Sequence, residues 1–372
     1  MDVGRHPRIE LLAYSQVETV QGSAGHFDVQ VRKQARYVRE DECTACGICL
    51  EKCPGKAPDA FNLGLNQRKA IYQYFPQGIP AVMTIDRDNC LHFTKGICRV
   101  CEKLCDKQAI DFDQTDEVLH RKVGSIILST GFEPFSPSSL AQYSYRKHPD
   151  VITAMEFERL VSASGPTDGE LRRPSDGGEV ERVAFVQCVG SRDVRTNSHC
   201  SAVCCMFAVK EAILANEHDP RVESYLFYTD LRASGKGFQE YLMRGENEYK
   251  VHYVRGRVAK ITSDPQGRPR LWYEDTQARH QKRLEVDLVV LVNSLVPSSG
   301  IRQLAQTLGI ALDARGFVQT DPYSPTETSV EGIFACGYCE SPMDIPSSVA
   351  QAGGASARAL EVVTRVRSEK LL

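Results

Sequence analysis

The chain has 372 residues, of which 42% are hydrophobic and 25% charged, and its formal net charge is -3. This composition is ordinary for a folded protein, and it gives no basic footprint for nucleic-acid binding. No apolar run reaches the roughly 18 residues of a membrane span, and the N-terminus lacks a signal-peptide core, so we expect a cytoplasmic protein without a membrane span. The 14 cysteines fall in close runs, which indicates metal binding rather than disulfides.

The first predicted elements are antiparallel strands within residues 1–37. Phe27, Val29 and Val31 alternate with polar residues, which is typical of a half-buried strand. We expect its partner near Ile9–Ala13.

A run of four cysteines follows, in which Cys43, Cys46, Cys49 and Cys53 precede Pro54. This is the C-x2-C-x2-C-x3-C-P pattern of bacterial ferredoxins, in which the fourth thiolate binds the other of two four-iron clusters. A zinc site and structural thiols are the alternatives, but zinc ribbons usually pair two knuckles instead of running three cysteines at this spacing. The run therefore predicts an iron–sulfur cluster.

A second run keeps the ferredoxin spacing only in its last three cysteines. Cys90 is separated from Cys98 by seven residues, Cys101 and Cys105 follow, and Asp106 replaces the usual proline. Two such runs predict a ferredoxin-like domain over residues 38–115 with two 4Fe-4S clusters and crossed ligation. The predicted ligand sets are Cys43, Cys46, Cys49 and Cys105 for one cube, and Cys90, Cys98, Cys101 and Cys53 for the other.

Residues 116–180 contain a predicted buried strand at 123–131 and a linker at 164–181 that is rich in Gly, Pro, Ser, Asp and Glu. A buried strand at 182–187 then leads to Cys188, and a helix is predicted over Ser201–Asn216. On that helix Cys200 and Cys204 would share a face, with Cys205 about 100° round it. Spacing alone leaves two interpretations open, a third cluster and buried free thiols.

The remaining elements alternate between strands and helices, which predicts an α/β fold. Strands are expected at Glu223–Tyr228, Val251–Thr262, Leu271–Glu274 and Asp287–Val292, within a nucleotide-domain-like unit over residues 181–296. Residues 297–372 hold a last strand at 332–337 and an Ala-rich helix at Ser347–Arg365. Cys336 and Cys339 have the spacing of a redox dithiol, and two unrelated buried residues are an equal alternative.

Two segments resemble the flavin motifs of two-dinucleotide-binding flavoprotein disulfide reductases. Leu128-Ser129-Thr130-Gly131 is similar to their crossover motif, and residues 328–337 resemble their second flavin motif. Together with the cysteine runs and with residues 157–167, 187–193 and 344–352, nearly the whole chain resembles the HdrA family of heterodisulfide reductase subunits. That resemblance implies a thioredoxin-reductase-like flavoprotein fold with an inserted α+β ferredoxin-like domain. It also implies FAD and a third 4Fe-4S cluster at Cys188, Cys200, Cys204 and Cys205.

The resemblance further implies particular residues near the flavin. The expected contacts are Thr130, Gly131, Gly337, Ser348 and Gln351. Lys210 would face the flavin N5 and tune its redox chemistry, and a solvated helix lysine is the alternative for it.

The chain departs from the family in the glycines that hold dinucleotides. It contains no G-x-G-x-x-G sequence, and Cys188-Val189-Gly190 stands where the NAD(P) glycines would be. Tyr338 replaces the aspartate that follows the second flavin motif. The flavin-binding fold would therefore lack its first half, and its remaining segments would be residues 1–37, residues 116–180 with the linker, and residues 297–372 as its C-terminal part. We expect a partner chain to supply the GxGxxG half.

The expected function is that of an electron-transfer subunit of an HdrA-type oxidoreductase complex, inactive without its partner subunits. It would move electrons between FAD and three 4Fe-4S clusters, with bifurcation in some members of the family. The alternative is a flavin-free iron–sulfur relay subunit that bridges its partners.

Overall fold

The computed structural model describes residues 2–369, which divide after Gly124 into two compact units. The segments 1–37 and 38–115 both lie in unit 1, and unit 2 begins at Ser125. The elements of unit 1 are α1 (Asp2–Arg5), β1 (Ser15–Ser23), β2 (His26–Lys33), α2 (Ile48–Lys52), β3 (Lys56–Pro58), β4 (Gln67–Lys69), β5 (Ile71–Tyr72), β6 (Thr84–Ile85), α3 (Leu91–Lys95), α4 (Val100–Lys103) and β7 (Glu117–Val123).

An antiparallel sheet in the order β1-β2-β7 forms part of unit 1. The strand predicted from Phe27, Val29 and Val31 is confirmed as β2, and these three side chains are buried. The predicted partner at Ile9–Ala13 is wrong, because β1 begins at Ser15 and its Val17 pairs with Val31. The alternation of apolar residues at 9 and 11 does not produce a strand here. Among the described residues no strand pairs with this segment, and both side chains are exposed.

Residues 38–115 consist of short helices and two-stranded hairpins around a small core. β3 pairs with β4, and β5 pairs with β6. The core contains the buried side chains of Ile71, Val82 and Ile85. An antiparallel bridge between Val38 and Ile110 joins the beginning and the end of this segment, so that both cysteine runs are held against one core.

Unit 2 contains two larger sheets and the longest helices among the described residues. Its elements are β8 (Ile126–Leu128), β9 (Phe132–Pro134), β10 (Val151–Thr153), α5 (Ala154–Leu160), β11 (Arg182–Val189), α6 (Cys204–His218), β12 (Glu223–Tyr228), α7 (Phe238–Glu248), β13 (Val251–Ser263), β14 (Pro269–Asp275), β15 (His280–Glu285), β16 (Leu288–Asn293), β17 (Leu295–Pro297), α8 (Ile301–Leu308), β18 (Thr320–Asp321), β19 (Ser324–Thr328), β20 (Ile333–Ala335) and α9 (Ile345–Glu369). This alternation confirms the predicted α/β class.

The larger sheet has seven strands in the order β10-β16-β11-β12-β13-β14-β15. The first five run parallel, and β14 and β15 continue the sheet as antiparallel strands. The strands predicted for this segment are confirmed, with ends that differ by a few residues. Parallel strands covered on both faces require continuous apolar sequence, which explains why Leu288–Asn293 is buried throughout. The carboxyl ends of β11 and β12 therefore open on the same edge of the sheet.

The smaller sheet has the order β18-β19-β20-β8, and β20 runs parallel to β8. Helix α9 contacts β20, β19 and β8. The predicted helix at Ser347–Arg365 is confirmed, and it begins two residues earlier at Ile345. β8 is the end strand of this sheet, so within residues 2–369 one side of its backbone has no strand beside it. None of the helices described has both the length and the hydropathy that a bilayer crossing demands.

Candidate functional site

The first predicted cysteine set lies together in unit 1. Burial raises the pKa of the Cys49 thiol to about 11, and charge repulsion from Cys43, Cys46 and Cys105 adds to this rise. These four residues are the set predicted for one cube, so the crossed partner Cys105 is within electrostatic range of the first run. The backbone N–H of Ala109 also donates to Cys105 Sγ at 3.4 Å.

The second predicted set lines a small cavity of about 20 Å³. Its walls include Cys53, Cys90, Cys98 and Cys101, together with Ile71 and Ile85 from the core. Burial raises the pKa of the Cys101 thiol to about 12, and Cys90, Cys53 and Cys49 contribute further repulsion. Cys53 therefore lies with the second run instead of with its neighbours in sequence.

Two glycines, Gly47 and Gly55, allow the backbone to pass close to these thiols. Gly47 has a φ of 82° and immediately precedes α2, so the loop that carries Cys46 turns in the left-handed region where glycine is favoured. At Gly55 an added Cβ would lie 2.8 Å from the Cβ of Ala70 and 3.7 Å from the Sγ of Cys53. A larger residue would therefore displace Ala70 or the backbone carbonyl oxygen of Asn89, which would lie 2.9 Å from the added Cβ.

The donor chemistry of both sets fits four-iron clusters, which are held by four cysteine thiolates. No group of three or more His, Cys, Asp or Glu side chains among residues 2–369 is arranged to hold a single metal ion. A single zinc ion would need sulfurs about 3.8 Å apart, as tetrahedral Zn–S bonds of about 2.3 Å require. The described thiols therefore do not form a single-ion site of this kind.

The third set lies where β11 ends and α6 begins in unit 2. Cys188 has a φ of 58°, which turns the chain out of β11. A hydrogen bond with Cys205, followed by burial, raises the pKa of Cys204, and repulsion from Cys188 and Cys200 acts in the same direction. The hydrogen bond from Cys204 also lowers the pKa of Cys205. The structure therefore brings all four predicted residues together.

The predicted position of Cys200 on the helix is wrong, because α6 begins at Cys204. The Ser201 hydroxyl accepts a hydrogen bond from the backbone N–H of Leu295 at 2.9 Å, and Ala202 has a left-handed φ of 62°. These two features hold residues 200–203 in a loop. The backbone N–H of Ala202 donates to Cys200 Sγ at 3.4 Å, so the loop supplies a donor to its own thiol.

Positively charged groups surround the third cysteine set. The Arg192 guanidinium pairs with Asp230 and also donates a hydrogen bond to Cys188, and both contacts raise the pKa of Arg192. The backbone N–H of Arg232 donates to the Cys205 thiol and helps to lower its pKa. Hydrogen bonds and cations beside ligand sulfurs stabilise added negative charge on an iron–sulfur cluster.

A cleft of about 650 Å³ adjoins the third cysteine set. Ala202 and Val203, which lie between Cys200 and Cys204, form part of its wall. Aromatic side chains line it as well, and the rings of Phe132 and Tyr338 have centroids 4.6 Å apart. The wide apolar cleft fits a planar ring system such as that of a flavin.

The five predicted flavin contacts occupy different environments. Ser348 lines the cleft, whereas the other four are not among the lining residues described. Gly131 and Gly337 have left-handed φ values of 68° and 74°, as tight turns after strands require. The backbone N–H of Gly337 donates to Gln351 Oε1 at 2.7 Å, and Gln351 Nε2 donates to the Pro325 carbonyl oxygen at 3.1 Å.

The turn after β8 faces a buried cysteine. Backbone N–H groups of Thr130 and Gly131 donate hydrogen bonds to the Cys339 thiol, although burial is the larger influence and raises its pKa. Cys336 is buried too, and repulsion between these two thiols raises the pKa of Cys336 further. Cys336 and Cys339 are therefore neighbours within the smaller sheet and its turn.

Lys210 lies in an ion pair on the surface of unit 2. Its Nζ contacts Glu158 Oε1 at 2.5 Å, and it is not among the described residues that line the cleft. Glu158 belongs to α5, so this pair ties α5 to α6.

The sequence matches a known family and several curated proteins. Residues 208–354 match the family described as pyridine nucleotide-disulphide oxidoreductase. The chain is 42% identical over 362 residues to the A-type subunit of the H(2):CoB-CoM heterodisulfide,ferredoxin reductase of Methanothermobacter thermautotrophicus, covering 96% of this chain and 54% of the relative. It is 44% identical to an A-type iron-sulfur subunit of the CoB--CoM heterodisulfide reductase of Methanopyrus kandleri, covering 96% of this chain and 55% of the relative.

Among solved structures, the thioredoxin reductase of Lactococcus lactis aligns with a TM-score of 0.43 at 15% identity, covering 80% of this chain and 86% of that one. The thioredoxin reductase of T. acidophilum aligns with a TM-score of 0.40 at 16% identity, covering 69% and 70% of the two chains. The family match and the α/β architecture agree with the predicted fold class. The chain spans about half the length of the curated relatives it matches. Over 96% of its own length, the chain is similar to A-type subunits of heterodisulfide reductases.

Proposed function

We propose that this chain is an electron-transfer subunit of a heterodisulfide-reductase-type complex in the cytoplasm. The observation that carries the proposal is the gathering of twelve cysteines into three groups of four, two in unit 1 and one in unit 2. Each group has the all-thiolate donor chemistry of a 4Fe-4S cluster. The names of the relatives describe reductases of a CoB-CoM heterodisulfide, which supports the same class of reaction for the complex.

The chain's own residues would position and tune these cofactors. Clusters supply single-electron transfer when bound, and a flavin would supply the exchange between electron pairs and single electrons. Arg192 and the backbone N–H of Ala202 are donors to the third set of thiols, and they stabilise negative charge there. In unit 1, the apolar core around Ile71 and Ile85 limits water near the second set.

The cleft of unit 2 is the proposed flavin site. Its aromatic wall and its contact with the loop between Cys200 and Cys204 favour a flavin ring beside the third cysteine set. β8 leaves one strand edge open, and Ile127 on that strand is exposed. A strand from a partner protein would pair there and would contribute the glycine-rich turn that holds the FAD pyrophosphate.

The reaction of the complex balances as a two-electron reduction of a disulfide. One S–S bond breaks, two electrons and two protons are taken up, and two thiols form. Disulfide chemistry would lie on other subunits, and this chain would deliver the electrons, with bifurcation where the complex couples two acceptors.

One observation favours the alternative, a flavin-free iron–sulfur relay. The N–H of Gly337, a donor expected to serve a flavin, is already bonded to Gln351. One experiment distinguishes the two functions. The complex is purified anaerobically from the native cell by affinity to this chain, and its bound flavin is extracted and measured. Stoichiometric FAD in the complex, lost when Ser348→Trp fills the cleft, supports the proposal. An active complex without flavin contradicts it and favours the relay.

A further inference from the structure

A second cavity lies on the larger sheet, near the carboxyl ends of β11 and β12. Its volume is about 140 Å³, below the roughly 300–1,000 Å³ of sites for drug-sized molecules, so it admits only a small ligand. The carboxyl edge of parallel strands is where α/β sheets place their ligands. The residues of its wall that matter for the argument are Tyr143, Gln187, Cys188, Arg192 and Arg257.

The side-chain amide of Gln187 is buried in this wall without a partner. The residue is 8% exposed, and neither Nε2 nor Oε1 has a hydrogen bond to any described residue. A buried polar group left unsatisfied costs about 1–3 kcal/mol. Gln187 lies near the end of β11, where an apolar residue would fit the buried strand better. The amide is therefore a group that a ligand would satisfy.

Arg257 supplies a cation to the same cavity from β13. Its guanidinium contacts Asp193 at 3.4 Å, whereas Arg195 holds the Asp193 carboxylate at 2.7 and 3.0 Å. A hydrogen bond with Arg257 also helps to offset the rise that burial causes in the pKa of Tyr143. Because Arg195 already satisfies Asp193, Arg257 can bind another anion.

Arg192 adds a second cation to the wall of this cavity. It pairs with Asp230, which Arg232 also approaches at 3.4 Å. The guanidinium groups of Arg192 and Arg257 line the cavity, whereas their carboxylate partners Asp230 and Asp193 are not among its lining residues. A wall whose charged groups are both cations favours an anionic ligand.

We propose that this cavity binds a small organic anion, with a carboxylate or phosphate group at Arg257 and Arg192 and a polar group at the Gln187 amide. Cys188 forms part of the wall, so the ligand would lie beside the third cysteine set. Because Cys188 is shared, an anion bound here would also oppose the addition of an electron at that set.

The test uses the purified chain and two probes, inorganic phosphate and citrate, at constant ionic strength with chloride as the reference anion. We expect saturable binding of at least one probe by calorimetry, weakened about tenfold or more by Arg257→Gln and by Gln187→Leu. Arg244→Gln is the control, since Arg244 lies on α7, pairs with Glu248 and is not among the lining residues. Binding of phosphate alone assigns a phosphate ligand, and binding of citrate alone a carboxylate.

Thermal unfolding without a probe gives a second, independent readout. Gln187→Leu should raise the melting temperature, because it removes an unpartnered polar group from a buried position. Failure of both probes to bind, or equal binding by Gln187→Leu and the parent chain, would overturn the proposal. A fall in melting temperature for Gln187→Leu would overturn it too, because the amide would then have a partner within the protein. Iron content is measured in each variant, so that loss of a cluster is recognised separately.

Discussion

The hydroxyl of Tyr338 donates a hydrogen bond to the backbone carbonyl oxygen of Ser201 at 3.0 Å. Tyr338 follows the glycine of the second flavin-like motif, and Ser201 follows the cluster-ligand candidate Cys200. Both residues belong to unit 2, and both are buried. This bond therefore links the turn at the proposed flavin cleft directly to the loop that carries the third cysteine set.

Replacing Tyr338 with phenylalanine should loosen that loop. The variant leaves the Ser201 carbonyl oxygen without its donor, at a cost of about 1–2 kcal/mol in the free energy of unfolding. We also expect a shift in the reduction potential of the third cluster, measured by electron paramagnetic resonance during a redox titration. Tyr323→Phe is the matched control, because Tyr323 is 97% exposed. Equal stability and equal potentials in both variants would contradict the role assigned to this bond.

Replacing Arg192 with glutamine should lower the reduction potential of the third cluster. The guanidinium donates to Cys188, and its positive charge stabilises the additional electron of the reduced state. We expect a fall on the order of tens of millivolts, where 59 mV corresponds to a tenfold change for one electron. Arg195→Gln serves as the control, since its partner is Asp193. A potential that is unchanged or raised in Arg192→Gln would count against this assignment.

Replacing Gly190 with alanine should destabilise the junction after β11. Gly190 has a φ of 73°, and an added Cβ would lie 2.5 Å from ring atoms of Phe135. Backbone strain and the clash together should cost about 2–4 kcal/mol in chemical denaturation. Gly177→Ala isolates the strain alone, because Gly177 has a φ of 72° and no atom within 4 Å of the added Cβ. Similar losses in the two variants would show that the contact with Phe135 is unimportant.

Glu211 should make stability depend on pH. This carboxyl group is fully buried on α6, and burial, followed by repulsion from Glu158, raises its pKa well above 4.5, while Lys210 opposes the rise. In the unfolded chain the Glu211 carboxyl group loses its proton near pH 4.5, whereas in the folded chain it keeps that proton to a higher pH. The free energy of unfolding therefore falls as the pH rises from about 4.5 toward the pKa of the folded state. Glu211→Gln should therefore raise the melting temperature near pH 8 and change it little near pH 4.

A stabilisation by Glu211→Gln that is the same at both pH values would contradict this explanation. Glu217→Gln is a suitable comparison, because Glu217 lies on the same helix and is exposed. It should leave the pH profile of the parent chain unchanged.

The strands of the larger sheet in unit 2 were predicted from the sequence, whereas their order in the sheet was not. Continuous apolar runs at 182–187 and 287–292 identify buried parallel strands, because such strands are covered on both faces. The start of α6 could not be predicted in this way. Apolar residues continue before Cys204, which would allow a longer helix. The helix begins later because the backbone N–H of Leu295, more than ninety residues away, donates a hydrogen bond to the Ser201 hydroxyl and keeps residues 200–203 in a loop.

The grouping of the first eight cysteines was expected from their spacing, and that of the third set from the family resemblance, whereas the charges around them were not expected. The ion pair of Arg192 with Asp230 joins residues 38 positions apart, and the unpartnered amide of Gln187 depends on packing among several strands. The spacing of cysteines in the sequence predicts which thiols of one loop can bind the same cluster. It does not predict which side chains from other strands pack against that loop.

The most direct test of the account is the iron content of the anaerobically purified chain. Three four-iron clusters predict about twelve iron atoms per chain, and about eight in Cys204→Ala and in Cys98→Ala. Cys336→Ala is the control, because Cys336 is buried but lies outside the three groups, and it should keep about twelve. A parent chain with about eight iron atoms that does not lose iron in Cys204→Ala would contradict the third cluster, and with it the proposed electron path through unit 2.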